Sequence, residues 1–142
     1  MFIEEYIQRK VKRLIKKAGT SNPEGIIKTR LKSADFKYVP LCKNINGYYI
    51  YISGKKKIIR VNSELKGAEK QFVVLHETGH CILDHRGIIL LDRSNSISKL
   101  KEEYDADLFA ACSFKIYNNI NKFNLNNICM PEYIRSLVNK FL

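Results

Sequence analysis

The pentapeptide His76-Glu77-Thr78-Gly79-His80 constrains this chain more than any other feature. It lies in a stretch of helical period, residues 66–84, where Phe72, Leu75, Gly79, Ile82 and Leu83 share one face. Residues four apart on a helix point the same way, so His76 and His80 can each aim an imidazole nitrogen at one ion. Glu77 stands one step round, beside the ion rather than on it. A carboxylate there can take a proton from water as that water attacks a carbonyl, the role of a general base. All three histidines of the chain fall within ten residues, and two take this spacing, which argues against accident.

Zinc, the ion this pattern suits, needs a third protein ligand and leaves a fourth position open. His85, Asp84, Asp92, Glu102, Glu103, Asp105 and Asp107 are all candidates. Glu103 and Asp107 stand out because they lie four apart on a second helical stretch, residues 98–116, with Leu100, Tyr104, Leu108, Ala111 and Cys112 at helical spacing. One carboxylate can ligate the metal while the other, one turn on, accepts the distal N–H of a ligand histidine. Glu103 is the expected ligand and Asp107 the expected orienting partner. The apolar residues that follow, Leu108-Phe109-Ala110-Ala111, put both at the edge of a core, where an unpaired carboxylate is costly. His85 follows His80 by five, and continuing the helix carries it off the ligand face, so it is expected to line a cleft.

The rest of the chain frames this pair of helices. Residues 2–18 read as an amphipathic helix, with Ile3, Ile7, Val11, Leu14 and Ala18 on one stripe, Lys and Arg elsewhere, and Gly19 as the stop. Its stripe is expected to pack on the domain. Asn22-Pro23-Glu24-Gly25 signals a turn or helix start, with a short helix to about Ser33. Tyr48–Ser53 and Lys57–Asn62, joined by Gly54-Lys55-Lys56, predict a β-hairpin, and an edge strand of it could receive an extended substrate. A loop with Asp92, Ser94, Asn95 and Ser96 separates the two motif helices, an Asn-rich loop runs to Asn127, and Pro131 opens a last helix with Tyr133, Ile134, Leu137, Val138 and Phe141 on its apolar side. The expected fold is α+β in one domain spanning residues 1–142, a short antiparallel or mixed sheet packed on the two motif helices.

Charge is unevenly placed. The net +11 of the chain belongs to residues 1–60, which hold 15 Lys/Arg against 4 Asp/Glu, while residues 61–142 balance at 10 and 10. A basic surface attracts acidic partners. No helix-turn-helix, zinc finger or RNA-binding signature accompanies it. Acids at Glu4 and Glu5 and the lack of an apolar leader argue against a secretory signal, and no apolar run reaches the ~20 residues of a membrane span. The four widely spaced cysteines then read as reduced thiols, several of them buried, in a cytoplasmic protein.

Glu103 and Asp107, paired with the histidine motif, are similar to the arrangement of glutamate zincins. More specifically, residues 67–80, Asp84-His85 and Glu103-Tyr104-Asp105-Ala106-Asp107-Leu108-Phe109-Ala110 resemble the ImmA/IrrE family of metallopeptidases over roughly residues 45–113. That resemblance implies a gluzincin-like fold and a cytosolic zinc endopeptidase cutting a protein such as a helix-turn-helix transcriptional repressor. It makes His76, His80 and Glu103 the metal ligands and Glu77 the base. The chain departs from the family pattern after Ala110, where Ser113-Phe114-Lys115 follows and Met130-Pro131 comes late. The alternative function is a non-catalytic binding module that uses its basic N-terminal half to hold a regulator or nucleic acid. Tyr48, Tyr49, Tyr51, Tyr104 and His85 are chemically able to stabilise an oxyanion, and the sequence singles out none of them.

Overall fold

A computed structural model of the chain describes residues 2–86, 88–92 and 101–142. The fold is α+β, in the order α1 (Ile3–Ala18), α2 (Pro23–Arg30), β1 (Ala34–Val39), β2 (Ile45–Ser53), β3 (Lys56–Asn62), α3 (Gly67–Ile82), β4 (Ile88–Asp92), α4 (Lys101–Tyr117) and α5 (Glu132–Asn139). The helix ends follow local chemistry. Gly19 takes φ +72° and closes α1 with an N–H bond to the Ile15 carbonyl. Asn22 caps α2 by accepting from the Gly25 N–H, with Pro23 in the first turn. Pro131 sits at the N-cap of α5, one residue before the helix.

Layering explains what each helix buries. α3 is the middle layer, and every residue from Phe72 to Cys81 is buried. On one side Val73, Val74 and Cys81 pack with Tyr49, Ile59 and Val61 of the sheet and with Ile27 of α2. On the other side Phe72 and Leu75 join Leu108, Phe109 and Phe114 of α4, Ile134 and Val138 of α5, and Ile7, Val11 and Leu14 of α1. A helix covered from both sides is apolar all round rather than striped. α1, by contrast, commits one stripe, worth about 1.5–3 kcal/mol per fully buried side chain, and leaves its cations outside.

The sheet is mixed, ordered β1-β3-β2-β4, with β1 parallel to β3 and β2 antiparallel to both β3 and β4. The hairpin is therefore present, but both of its strands are interior, and the edges are β1 and β4. The expected edge strand of the hairpin does not exist. Arg60 secures β1, its guanidinium donating to the Asp35 carbonyl at 2.6 Å and pairing with the Asp35 carboxylate at 3.2 Å. Asn62 secures the other end, donating to the Ile45 carbonyl and accepting from the Glu64 N–H. Asp92, expected in a loop, is the last residue of β4. Ser94, Asn95, Ser96 and the expected first turn of α4, Leu100 included, lie outside the described residues. All four cysteines are free; Cys81 and Cys112 are buried, Cys42 and Cys129 exposed.

Gly47 sits beside an irregularity in the β2–β4 register, where a Cβ would meet the Arg60 carbonyl oxygen at 2.8 Å and Val73 Cγ1 at 3.2 Å. Backbone cannot swing aside as a side chain can. Gly47→Ala is expected to cost about 1–3 kcal/mol, the usual toll of overpacking. Urea denaturation of the two proteins measures it, and an unchanged midpoint would show that the strands can separate freely.

Candidate metal centre

Helix geometry delivers the first two donors. On α3, His76 Nε2 and His80 Nε2 lie 3.2 Å apart. α4 delivers the third: Glu103 Oε1 is 2.7 Å from His80 Nε2, and Glu103 Oε2 is 3.3 Å from His76 Nε2. Four-coordinate zinc with bonds of about 2.0–2.1 Å holds its ligand atoms about 3.3 Å apart. The His76–His80 separation and that of Glu103 Oε2 from His76 match that spacing, while the other oxygen, Oε1, comes closer to His80; with one donor atom taken from each residue, all three lie within 4.8 Å of one another. The buried group His76, His80 and Glu103 thus fits a metal ion, and its donors are the nitrogen and oxygen types such ions take.

The approach of α4 to α3 depends on Gly79. A Cβ at that position would lie 3.1 Å from Phe109 Cδ1 and 3.2 Å from Phe109 Cβ and Cγ. Phe109 is fully buried and its Cβ is tied to the α4 backbone, so relief would come by moving α4. The remaining motif position, Thr78, is buried and satisfies its hydroxyl on the Val74 carbonyl at 2.8 Å.

Behind each imidazole stands a second polar group. Asp107 Oδ1 lies 2.8 Å from His76 Nδ1, within ion-pair distance though off the line of a well-directed hydrogen bond. His80 Nδ1 lies 2.7 Å from His85 Nδ1. The chain turns to make this contact possible. Asp84 adopts the left-handed conformation, φ +56°, and the His85 N–H donates to the His80 carbonyl at 2.9 Å while the Asp84 N–H donates to the Cys81 carbonyl. This pair of bonds is a Schellman ending, which folds the residue after the turn back onto the last helical turn. His85 is accordingly buried behind His80 rather than carried away along a longer helix. Tyr49 of β2 completes the support. Its ring stacks on His80 at 5.4 Å between centroids, and its hydroxyl donates to the His85 carbonyl at 2.7 Å. That hydroxyl is therefore committed. The sequence places Tyr49 among possible oxyanion donors without assigning it, an aromatic in a strand being more often core, and carries no sign of its contact with His85.

Burial governs the titration of the group. It pushes Glu77 up to about 8, against the pull of His76. It pulls His80 down to about 4, with the Glu103 bond opposing. At His76 burial also acts downward, but the Asp107 and Glu103 carboxylates outweigh it and raise the imidazole well above its ordinary value. At Glu103 burial acts upward, and bonds from His76 and His80 outweigh it, leaving the carboxyl at about 2. Asp107 is raised because burial exceeds the pull of His76. Glu77 has both carboxylate oxygens buried without a hydrogen-bond partner.

The family model described as the IrrE N-terminal-like domain, Peptidase_M78, matches residues 33–132. The chain belongs to the IrrE N-terminal-like peptidase family. The match spans the sheet, both motif helices and the segment leading into α5. The chain is also similar to a protein of Bacillus phage phi105 described as "Uncharacterized immunity region protein 2", with 35% identity over 107 residues, 73% of this chain. It spans about 65% of the length of that relative. No solved structure matches it. A peptidase family and a buried metal-binding group agree with each other, and among the described residues no helix is long and apolar enough to cross a membrane.

Gly79→Ala trades a helix-propensity gain of about 1 kcal/mol against an overpacking cost of about 1–3 kcal/mol. Because α4 must give way, the expected outcome is a net loss of stability together with weaker metal binding, read by thermal melting and chelator competition. Tighter metal binding in the variant would show that the helix spacing is not set there.

Proposed function

We propose that this protein is a zinc-dependent endopeptidase of the cytoplasm that cuts a protein substrate, a helix-turn-helix transcriptional repressor being the favoured class. One observation carries the reading: a buried carboxylate without a hydrogen-bond partner, Glu77, adjoins His76 of a buried His-His-Glu group whose donor atoms, one from each residue, all lie within 4.8 Å of one another. A structural metal site has no use for such a carboxylate, which is costly to bury. The family and the phage immunity-region relative support the substrate class.

In this reading His76, His80 and Glu103 hold the metal. Zinc bound there supplies a Lewis acid for the scissile carbonyl and lowers the pKa of water from 15.7 to about 7. Glu77 takes the proton of the attacking water and passes it to the leaving nitrogen. Asp107 holds the Nδ1 side of His76 so that Nε2 faces the metal. His85 does the same for His80, accepting from its Nδ1–H, while Tyr49 fixes His85 through its carbonyl.

Glu77→Gln is expected to lower cleavage of a repressor or mixed peptide library by about 10²–10⁴-fold, the usual share of general acid–base catalysis, with zinc content unchanged. Wild-type cleavage by that variant would rule Glu77 out as the base. Metal analysis is expected to find about one zinc per wild-type chain and little in Glu103→Ala; full retention in the variant would move the third ligand elsewhere. His85→Leu should weaken zinc about 10–100-fold in chelator competition, with His85→Asn, which keeps an acceptor there, losing less. Equal losses would make His85 a packing residue only.

A further inference from the structure

Outside the metal centre, the most unusual surface is a pocket of about 260 Å³ lined by Lys10, Arg13, Leu14 and Lys17 of α1, Arg30 of α2 and Ile82 of α3. Four of its six lining residues are cations and none is an acid. Among the described residues no ion pair engages any of the four. Lys10 lies over the Tyr6 ring, and Arg13, Lys17 and Arg30 are exposed. All four cations fall within residues 1–60, which carry the whole net charge of the chain.

We propose that this pocket is a cradle for the phosphodiester backbone of nucleic acid, bound without regard to sequence. Three features select that ligand. First, Lys and Arg side chains offer donors only, and a phosphodiester chain offers acceptors. An acidic polypeptide would bring its own N–H and C=O groups, and helical backbone, already bonded within itself, leaves it little to pair with. Second, a membrane surface is disfavoured because the apolar stripe of α1, Ile7, Val11 and Leu14, is buried in the core and cannot insert. Third, the floor is aliphatic, Leu14 and Ile82, with no aromatic ring to stack a base and no amide or carboxylate to read a base edge.

The dimensions agree. Lys10, Arg13 and Lys17 follow one another at i, i+3 and i+7 along one side of α1, a run of about 10 Å at 1.5 Å per residue. With α1 laid along the duplex axis, that matches about three steps of one strand at 3.4 Å of axial rise each. Arg30 faces this row from α2 and adds a planar fork that suits phosphate oxygens.

The test is fluorescence anisotropy of a labelled random-sequence duplex DNA with the full chain, from 50 to 200 mM salt. Arg13→Gln/Arg30→Gln is compared with Lys43→Gln/Lys55→Gln, which removes the same charge from exposed positions outside the pocket. Zinc content and melting temperature equal to wild type verify that each variant is folded. The expected result is binding by wild type, with a log–log salt slope that falls in magnitude by about 1.8 in the pocket variant, at about 0.9 per phosphate contact. The control pair should leave it nearly unchanged. Equal changes in both pairs would reduce the effect to net charge and overturn the cradle. So would no DNA binding by wild type at 50 mM salt. Displacement by polyglutamate as effective as by unlabelled DNA would assign the pocket to acidic polypeptide instead.

Discussion

His76, Glu77, His80, Glu103 and Asp107 are buried together where α3 meets α4, and the structure has to accommodate what that costs. Three of the five are acids. An ion removed from water carries a penalty of roughly several kcal/mol even after relaxation, and it is repaid only by close opposite charge. Burial pushes Glu77 and Asp107 toward their neutral forms, and Glu103 is the carboxylate held in its charged form. A divalent cation at the His76–His80–Glu103 group would compensate that charge, so that metal binding and the stability of this interface would belong to one equilibrium. The layers set where this group sits: the apolar residues of α3 pack on the sheet on one side and on α1, α4 and α5 on the other, which fixes the motif residues at the α3–α4 junction.

The parts legible in the sequence were those fixed by local geometry. Four-residue spacing on a helix needs no tertiary knowledge, and it brought His76 and His80 onto one side of α3 and paired Glu103 with Asp107 on α4. The stripe of α1 and the hairpin turn at Gly54-Lys55 are local in the same sense. Sheet order is not. β1 pairs with β3, across the hairpin from its neighbour in sequence, and Ala34-Asp35-Phe36-Lys37-Tyr38-Val39, which the sequence alone does not assign to a strand, carries no sign of where it docks. The four apolar residues Ile88–Leu91 are too short for periodicity to separate strand from helix. Those two strands turned the hairpin from an edge into the interior of the sheet.

His85 illustrates a subtler limit. Its spacing from His80 has meaning only if the helix continues, and the helix stops at Ile82. Glycine is the usual sign of such an ending, whereas here Asp84 takes the left-handed position, which a short polar side chain tolerates. The Tyr49 contact is likewise invisible in the sequence, since it joins residues 36 apart through a carbonyl.

The two halves of the charge distribution bear on one another. Residues 61–142 balance at 10 cations and 10 acids, yet Glu77, Glu103 and Asp107 are inside, so among the described residues there the acids left outside the core are fewer than the cations. The basic excess of residues 1–60 is thus not offset by an acidic outer surface elsewhere. A protein with such a surface would be repelled by a free basic DNA-binding protein and drawn to the nucleic acid that carries one. Held on the same strand, peptidase and repressor would meet at an effective concentration set by their spacing rather than by their abundance. A phosphodiester cradle on α1 and α2 would in that way supply the encounter that like charge otherwise opposes, and the proposed cleavage would be directed to substrate in its DNA-bound form.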